Sequence, residues 1–212
     1  MKKCIPLLLI VPMMAALLNL KAQPAGFKPV DEAEKKAVID AMNTKMQSVQ
    51  CAFRQEKKSA LFDEVSVSEG VMYFKKPSSL RWEYTKPTVS VIVMNGSKVR
   101  VTDTDGNEQD KGGRMYRQLA ALISGVVSGK ELENGKNFKA EFYANATAYW
   151  IKLTPANRRL KAFFNHLEMT VDKQRTVAVK MFMNEKEGDS TTITFSNHKV
   201  NASIDDKMFN LK

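Results

Sequence analysis

Hydrophobic residues recur along this chain with two different periods, which separate one helix from a long series of strands. Between Asp31 and Gln50 they recur at helical spacing behind an acidic first turn, a pattern typical of an amphipathic helix. Beyond Gln50, apolar and polar residues alternate in short segments, and Asn95-Gly96 fits a type I′ hairpin turn. The sequence therefore predicts a mainly β protein with helices (α+β), built from short antiparallel strands.

A second helix interrupts the strand pattern near the middle of the chain. It is predicted from about residue 113 to residue 124 and ends at Gly125, because glycine is a common helix stop. One face of this helix carries Met115, Leu119, Leu122 and Ile123. Since an apolar face must be buried, the helix either fills one end of the sheet as fixed core or covers a space that can open.

Residues 1–22 have the pattern of a secretory signal. Lys2 and Lys3 precede an apolar run of 16 residues that two prolines interrupt, whereas a membrane-spanning helix needs about 20 consecutive apolar residues. We expect cleavage after Ala22, which leaves a single domain over residues 23–212. The alternative is an uncleaved membrane anchor.

The chain is basic, with a formal charge of +10 that falls to +7 without residues 1–22, because that segment holds three lysines and no acidic residue. No compact Lys/Arg run with interleaved aromatic residues occurs, so nucleic acid is not an expected partner. The short pairs Lys57-Lys58, Lys75-Lys76 and Arg158-Arg159 fit solvated strand edges. They also fit weak attraction to an anionic membrane surface or an acidic partner.

Residues with catalytic chemistry are sparse. The two histidines, His166 and His198, have no second ligand or nucleophile at a meaningful spacing. Cys51, the only thiol beyond residue 22, is expected to be a small buried hydrophobe. We therefore expect no enzyme, no cofactor and no metal. Nine methionines follow residue 22, and their unbranched side chains either fill a core or adapt to irregular apolar guests.

One run of residues, Gly70 to Pro87, resembles a known family. With Phe53-Arg54-Gln55 before it and Asn95-Gly96 after it, the run is similar to the periplasmic outer-membrane lipoprotein carriers of the LolA family. The order of leader, amphipathic helix, strands, mid-chain helix and further strands also looks like that family. The resemblance covers nearly all of residues 23–212.

The resemblance implies an incomplete, strongly curved antiparallel β-barrel whose apolar concave face is covered by a helical lid. The lid would be the mid-chain helix, with Met115, Leu119, Leu122 and Ile123. Lys76 matches a basic family position, typically arginine, that fastens the lid through its backbone, although lysine lacks the planar fork of arginine. Alternation does not say which strand face is concave. The residues expected on the acyl-chain cavity are Phe53, Met72, Phe74, Leu80, Trp82, Val91, Leu167, Met169, Val179 and Met181.

The function implied by the resemblance is that of a periplasmic carrier, expected to be a monomer, that moves lipoproteins from the inner to the outer membrane. Its partners would be acylated lipoproteins, an inner-membrane ATP-driven exporter and an outer-membrane acceptor. An alternative keeps the fold but carries or senses another amphiphile, such as a glycolipid, since fold does not fix function. A secreted enzyme is the third hypothesis, and the lack of a nucleophile or metal set argues against it.

Overall fold

The computed structural model describes residues 24–62, 64–103, 105, 107, 122–125, 128–133 and 135–211. Three helices are bounded as α1 (Glu32–Lys45), α2 (Lys130–Glu133) and α3 (Arg158–Lys161); residues 122–125 are also helical, and a 3₁₀ helix spans Asp206–Phe209. The strands are β1 (Lys28–Pro29), β2 (Ser48–Lys58), β3 (Val65–Lys75), β4 (Ser79–Lys86), β5 (Ser90–Asn95), β6 (Lys98–Thr102), β7 (Phe138–Ala144), β8 (Ala148–Pro155), β9 (Phe164–Asp172), β10 (Val177–Glu185) and β11 (Ser190–Val200).

The eleven strands form one antiparallel sheet in the order β1-β7-β8-β9-β10-β11-β2-β3-β4-β5-β6. Strands β1 and β6 are its two edges and do not pair with each other within the described residues, so the sheet is not closed. Every strand from β2 to β11 nevertheless contributes to one hydrophobic cluster, which we call the main cluster. A sheet can do this only if it curves around the cluster. The predicted fold class, a mainly β protein with an incomplete barrel, is confirmed.

The register brings apolar residues of the predicted strands into rows on the concave face. Cys51 pairs with Met72, Met72 with Trp82, and Trp82 with Ile92, across four neighbouring strands. All four side chains are buried in the main cluster. Because neighbours in such a row face the same side of the sheet, the row fixes which residues of β2 to β5 point inward.

Four register shifts interrupt this regularity among the described strands, and two of them are bulges that add a residue to β10 or β11. One lies between Ala178 and Lys180 on β10, and the other between Ser196 and Lys199 on β11, where Asn197 has φ +55°. A bulge adds a residue to one strand and increases the local twist. These bulges therefore help the sheet to curve, and they also change which residues face inward.

Helix α1 is shorter than the sequence pattern predicts. It begins after Asp31, whose side chain accepts a hydrogen bond from the backbone N–H of Glu34 at 2.8 Å. It ends at Lys45 rather than near Gln50, and Val49 already pairs with Phe74 in the sheet. The side chain of Asn201 explains the break: its Oδ1 accepts from Gln47 N–H and its Nδ2 donates to the carbonyl of Lys45, both at 2.8 Å.

The β5–β6 hairpin is confirmed, but its turn is displaced by one residue from the prediction. Asn95 pairs with Lys98, so the two central residues are Gly96 and Ser97. Among them only Gly96 has positive φ, at +61°. A positive φ at the first central position alone is the pattern of a type II′ turn, not of type I′.

The convex face of the sheet carries a second, smaller cluster near the carboxyl terminus. Val93, Ile204 and Phe209 are its buried members, and we call it the C-terminal cluster. Lys75 also forms an ion pair with Asp206 on the 3₁₀ helix, at 2.5 Å. Strand β5 is consequently covered on both faces. Among the described residues no helix has the length and apolar character needed to cross a bilayer.

Candidate functional site

The concave face of the sheet holds most of the residues expected on a cavity wall. Eight of the ten lie in the main cluster with 2% or less of their surface exposed: Phe53, Met72, Phe74, Leu80, Trp82, Leu167, Met169 and Met181. The structure brings them together on one face under a common cover.

Val91 and Val179 are placed elsewhere, and their expected positions are corrected here. Val91 packs against the C-terminal cluster on the convex face, while its neighbour Ile92 faces the main cluster. Val179 is the extra residue of the bulge on β10 and is only half-buried, outside the main cluster, whereas Val177 and Ala178 belong to it. Alternation along a strand predicts the inward residue only where the ladder is unbroken.

Three helical segments of the described chain cover the concave face, and one of them, α2, contributes Leu132 to the main cluster. Helix α1 buries Val38, Ile39 and Met42 in the main cluster, and the helical segment 122–125 contributes Leu122 and Ile123. These last two residues were expected on the lid, and they are 7% and 3% exposed.

Met115 and Leu119, the other two residues expected on the lid, lie outside the described residues. Sequence reasoning identified α1 as amphipathic but did not name it as a cover. The available signal was its apolar face, with Val38 and Met42 four residues apart.

Lys76 fastens α1 to the turn between β3 and β4. Its ammonium group donates hydrogen bonds to the carbonyl of Met42, at 3.1 Å, and to that of Asn43. These carbonyls belong to the last turn of α1, which has no intrahelical donors for them. The backbone N–H of Lys76 also donates to the carbonyl of Gln47 at 2.9 Å. Burial, and secondly the nearby charge of Lys130, hold the pKa of Lys76 below its usual range.

A cavity of about 460 Å³ opens at one end of the sheet. Its apolar wall comes from Leu122, Leu160, Phe163, Phe164 and Met183. Leu122 and Met183 also belong to the main cluster, and Leu160 and Phe164 pack against it. The cavity is therefore continuous with the apolar interior.

Five polar residues of the cavity wall have polar partners: Gln55, Lys57, Tyr84, Glu185 and Thr191. Tyr84 Oη donates to Gln55 Oε1 at 3.1 Å, and Thr191 Oγ1 donates to Glu185 Oε1 at 2.7 Å. Lys57 Nζ lies 3.8 Å from Asp189 Oδ2. Paired groups of this kind are already satisfied, so the cavity offers mainly apolar surface to a guest.

Below the cavity the interior is closely filled. The rings of Phe53 and Trp82 lie 4.1 Å apart between centroids, and Phe195 packs edge-on against Trp82 at 6.1 Å. The indole N–H of Trp82 has no hydrogen-bond partner within the described part of the chain. Burial raises the pKa of the Cys51 thiol to about 12, so this thiol is an inert part of the core at neutral pH.

The histidines occupy structural positions. His198 Nε2 lies 3.0 Å from the carbonyl oxygen of Ala178, and burial lowers its pKa. His166 Nε2 lies 3.1 Å from Glu168 Oε1. Among the residues described here, no group of three or more His, Cys, Asp or Glu side chains could hold a metal ion.

The fold and the site define a half-barrel whose apolar concave face lies under a helix. The sequence model of one family, described as "Outer membrane lipoprotein carrier protein LolA", matches residues 44–212. The chain belongs to this family. Membership places it among lipoprotein carriers, a class of binding and transport proteins, and indicates a periplasmic protein.

Curated relatives are similar in sequence to this chain along almost its whole length. An outer-membrane lipoprotein carrier protein of Methylococcus capsulatus is 25% identical over 200 residues, which cover 94% of this chain and 93% of the relative. One from Chromobacterium violaceum is 26% identical over 191 residues, covering 89% and 88%. Among solved structures, the crystal structure of MucB matches with a TM-score of 0.52 at 11% identity, over 85% of this chain and 62% of MucB. That last likeness shows the fold alone.

Proposed function

We propose that this protein shuttles lipoproteins from the inner to the outer membrane by holding their acyl chains in the apolar space between the sheet and its cover. The observation that carries the proposal is the continuity of the cavity with the main cluster. Leu122 and Met183 belong to both. An acyl chain entering at the mouth would meet apolar side chains along its whole path.

The free energy of burying an acyl chain favours binding in this apolar space. Burying apolar surface is worth about 0.8 kcal/mol per methylene group, or about 12 kcal/mol for a chain of roughly fifteen. The cavity volume of about 460 Å³ lies within the range of roughly 300 to 1,000 Å³ that is usual for small-molecule sites. A cargo with several chains needs more room, so the cover must move when it binds.

Two features of the interior support an expandable space. Met72, Met94, Met169, Met181 and Met183 all lie in the main cluster, and methionine repacks around irregular apolar guests at low cost. The cover α1 is held at its last turn by the Lys76 ammonium group. Closure of α1 competes with the cargo, which limits the net affinity and permits release.

The remaining parts of the proposal concern the route. Residues 1–22 would direct export and be removed, an inner-membrane ATP-driven exporter would load the carrier, and an outer-membrane acceptor would unload it. The carrier would act as a monomer. Membership in the carrier family supports this route.

A binding titration tests the cavity. A fluorescent acylated lipopeptide should bind saturably to the wild-type protein, and Leu160→Asp should weaken binding at least about tenfold, because it places a charge on the cavity wall. Ala162→Asp is the matched control, since Ala162 is exposed two residues further on and the change in net charge is the same. Equal affinity of the Leu160→Asp variant and the wild type would contradict the proposed site.

The nature of the cargo needs a second measurement. Native mass spectrometry of the protein recovered from cells should show a bound mass that fragments to an acylated cysteine. A glycolipid in its place would support the alternative amphiphile carrier. Absence of saturable lipopeptide binding would refute the lipoprotein function.

A further inference from the structure

Exposed large hydrophobic side chains are concentrated at one end of the molecule. The structure describes six of them: Leu61, Phe62, Val65, Val67, Val89 and Phe163. We call this set the rim. Leu61 and Phe62, at 85% and 69% exposure, are the most exposed of the six. Such side chains are unremarkable when scattered, but a contiguous set indicates an interaction surface.

The rim lies at the same end of the sheet as the mouth of the cavity. Phe163 lines the cavity itself, as do Ser68 and Thr88, the neighbours of Val67 and Val89. Leu61 and Phe62 lie on the tip of the β2–β3 hairpin, beyond the pair Lys58–Val65.

Contacts between the turns connect these segments. The backbone N–H of Lys186 donates to the carbonyl of Phe163 at 2.8 Å, and that of Ala60 donates to Asp189 Oδ1 at 2.9 Å. The β10–β11 turn, which contains Lys186 and Asp189, therefore joins Phe163 to the β2–β3 tip. Phe163 and the β2–β3 tip with Leu61 and Phe62 therefore belong to one surface.

Positive charge lies next to this apolar surface. Helix α3 carries Arg158, Arg159 and Lys161, all exposed, and no acidic residue. Within the described residues, none of the three forms an ion pair. The two hairpin tips carry charges of both signs, with Glu64 on one and Lys186, Glu187 and Asp189 on the other, whereas α3 carries positive charge alone.

The opposite end of the sheet differs in its apolar exposure, although it also carries basic residues such as Lys98 and Lys199. Its turns, at residues 76–78, 96–97, 145–147 and 173–176, hold polar or small residues and contribute no exposed large hydrophobic side chain. The asymmetry shows that apolar exposure is not a general property of the strand ends of this protein.

We propose that the rim and α3 dock onto a lipid bilayer that contains anionic lipids. Apolar groups that enter the headgroup region, combined with Lys and Arg beside them, are the two components that bind peripheral proteins to such surfaces. Docking at the rim would bring the cavity mouth to the bilayer, so that an acyl chain could pass between them without crossing water. The proposal goes beyond the proposed function, because docking does not require an acyl chain in the cavity.

Vesicle flotation tests the proposal with the complete chain recovered from the soluble extract. The protein should float with vesicles of phosphatidylethanolamine and phosphatidylglycerol, and less with phosphatidylcholine alone. Binding should weaken with salt, because the screening length falls from about 10 Å at 0.1 M to about 3 Å at 1 M. Leu61→Ser/Phe62→Ser should lower the partition coefficient at least about tenfold, and Arg158→Gln/Lys161→Gln about fivefold for each charge removed.

A matched control removes the same charge from the opposite end. Lys98→Gln/Lys199→Gln also loses two exposed cations and should float like the wild type. Failure of the wild type to float with anionic vesicles would overturn the proposal, as would an undiminished partition of the Leu61→Ser/Phe62→Ser variant. Lipopeptide binding in solution should be equal in that variant and the wild type, so a failure of docking is distinguishable from a failure of acyl-chain binding.

Discussion

Replacing Lys76 by methionine tests whether α1 is a cover that competes with the cargo. Methionine approximates the length of the lysine side chain but removes the ammonium group and both hydrogen bonds to the last turn of α1. A hydrogen bond to a charged group contributes about 1.5 to 3 kcal/mol. Here one ammonium group donates to both carbonyls. Its removal also removes the free-energy cost of burying the charge, which is the effect that lowers the pKa of Lys76. We therefore expect the closed state to lose about 1 to 2 kcal/mol.

The sign of the functional effect follows from this loss. If closure of α1 competes with cargo, destabilising the closed state by about 1 to 2 kcal/mol raises the lipopeptide affinity about 5- to 30-fold, since 1.4 kcal/mol is a factor of ten. The assay is a titration with the fluorescent lipopeptide, accompanied by hydrogen exchange in residues 32–45. Lys76→Arg keeps the charge and the donors, and it should stay close to the wild type.

Two results would refute this reasoning. Unchanged affinity together with unchanged exchange in α1 would show that the Lys76 contacts do not hold the cover. Reduced affinity in a variant whose α1 exchanges faster would show that Lys76 binds the cargo instead. Urea unfolding of each variant separates these outcomes from a general loss of stability.

Three further predictions concern the interior. Gly70→Ala should lower the free energy of unfolding by about 1 to 3 kcal/mol in urea, because a Cβ there would overlap the carbonyl oxygen of Glu83; full stability would contradict that packing. The free energy of unfolding of the wild type, relative to that of Cys51→Ala, should fall by about 1.4 kcal/mol per pH unit between pH 9 and 12. The reason is that the unfolded thiol ionises near pH 9 and the buried thiol near pH 12. A difference between the two proteins that stays constant with pH would contradict this. Leu122→Ala should cost less than the 2 to 5 kcal/mol typical of fixed core if residues 122–125 form part of a movable lid, which urea unfolding measures; a loss in that range would favour a static plug.

Where a strand is regular and buried on one side, alternation predicts which residues share a face, although it does not say which face is concave. Cys51, Met72 and Trp82 lie opposite each other on β2, β3 and β4, and Phe53 is two residues from Cys51, so Phe53, Met72 and Trp82 share the face of the main cluster. On β5 alternation could not identify the inward residues, because both faces of the strand are buried. Val91 and Val93 pack under the C-terminal cluster, and their apolar character reflects that cover rather than the cavity.

Other features depend on contacts that are distant in sequence. Helix α1 ends where Asn201, more than 150 residues away, binds the backbone around residues 45–48. The bulge on β10 at Val179 cannot be recognised from the sequence, because Val177, Val179 and Met181 still alternate regularly with their neighbours. Local periodicity carries no information on such pairings, so the sequence predicts the elements better than their ends or their inward faces.

The two ends of the sheet differ in their side chains, and in the proposals made above they would perform different steps: one end would control opening of the cover and the other contact with a membrane. At the β3–β4 turn, Lys76 holds α1 through hydrogen bonds, so in the proposed function this end would control the free energy of opening. At the opposite end, where the cavity mouth lies, the β2–β3 tip and α3 present apolar and basic side chains, so that end would control contact with a membrane. A membrane contact at the β3–β4 turn would disturb the Lys76 hydrogen bonds that hold α1. Because the rim lies at the opposite end, docking there would leave those hydrogen bonds intact, and the cargo's own affinity for the apolar interior would drive opening.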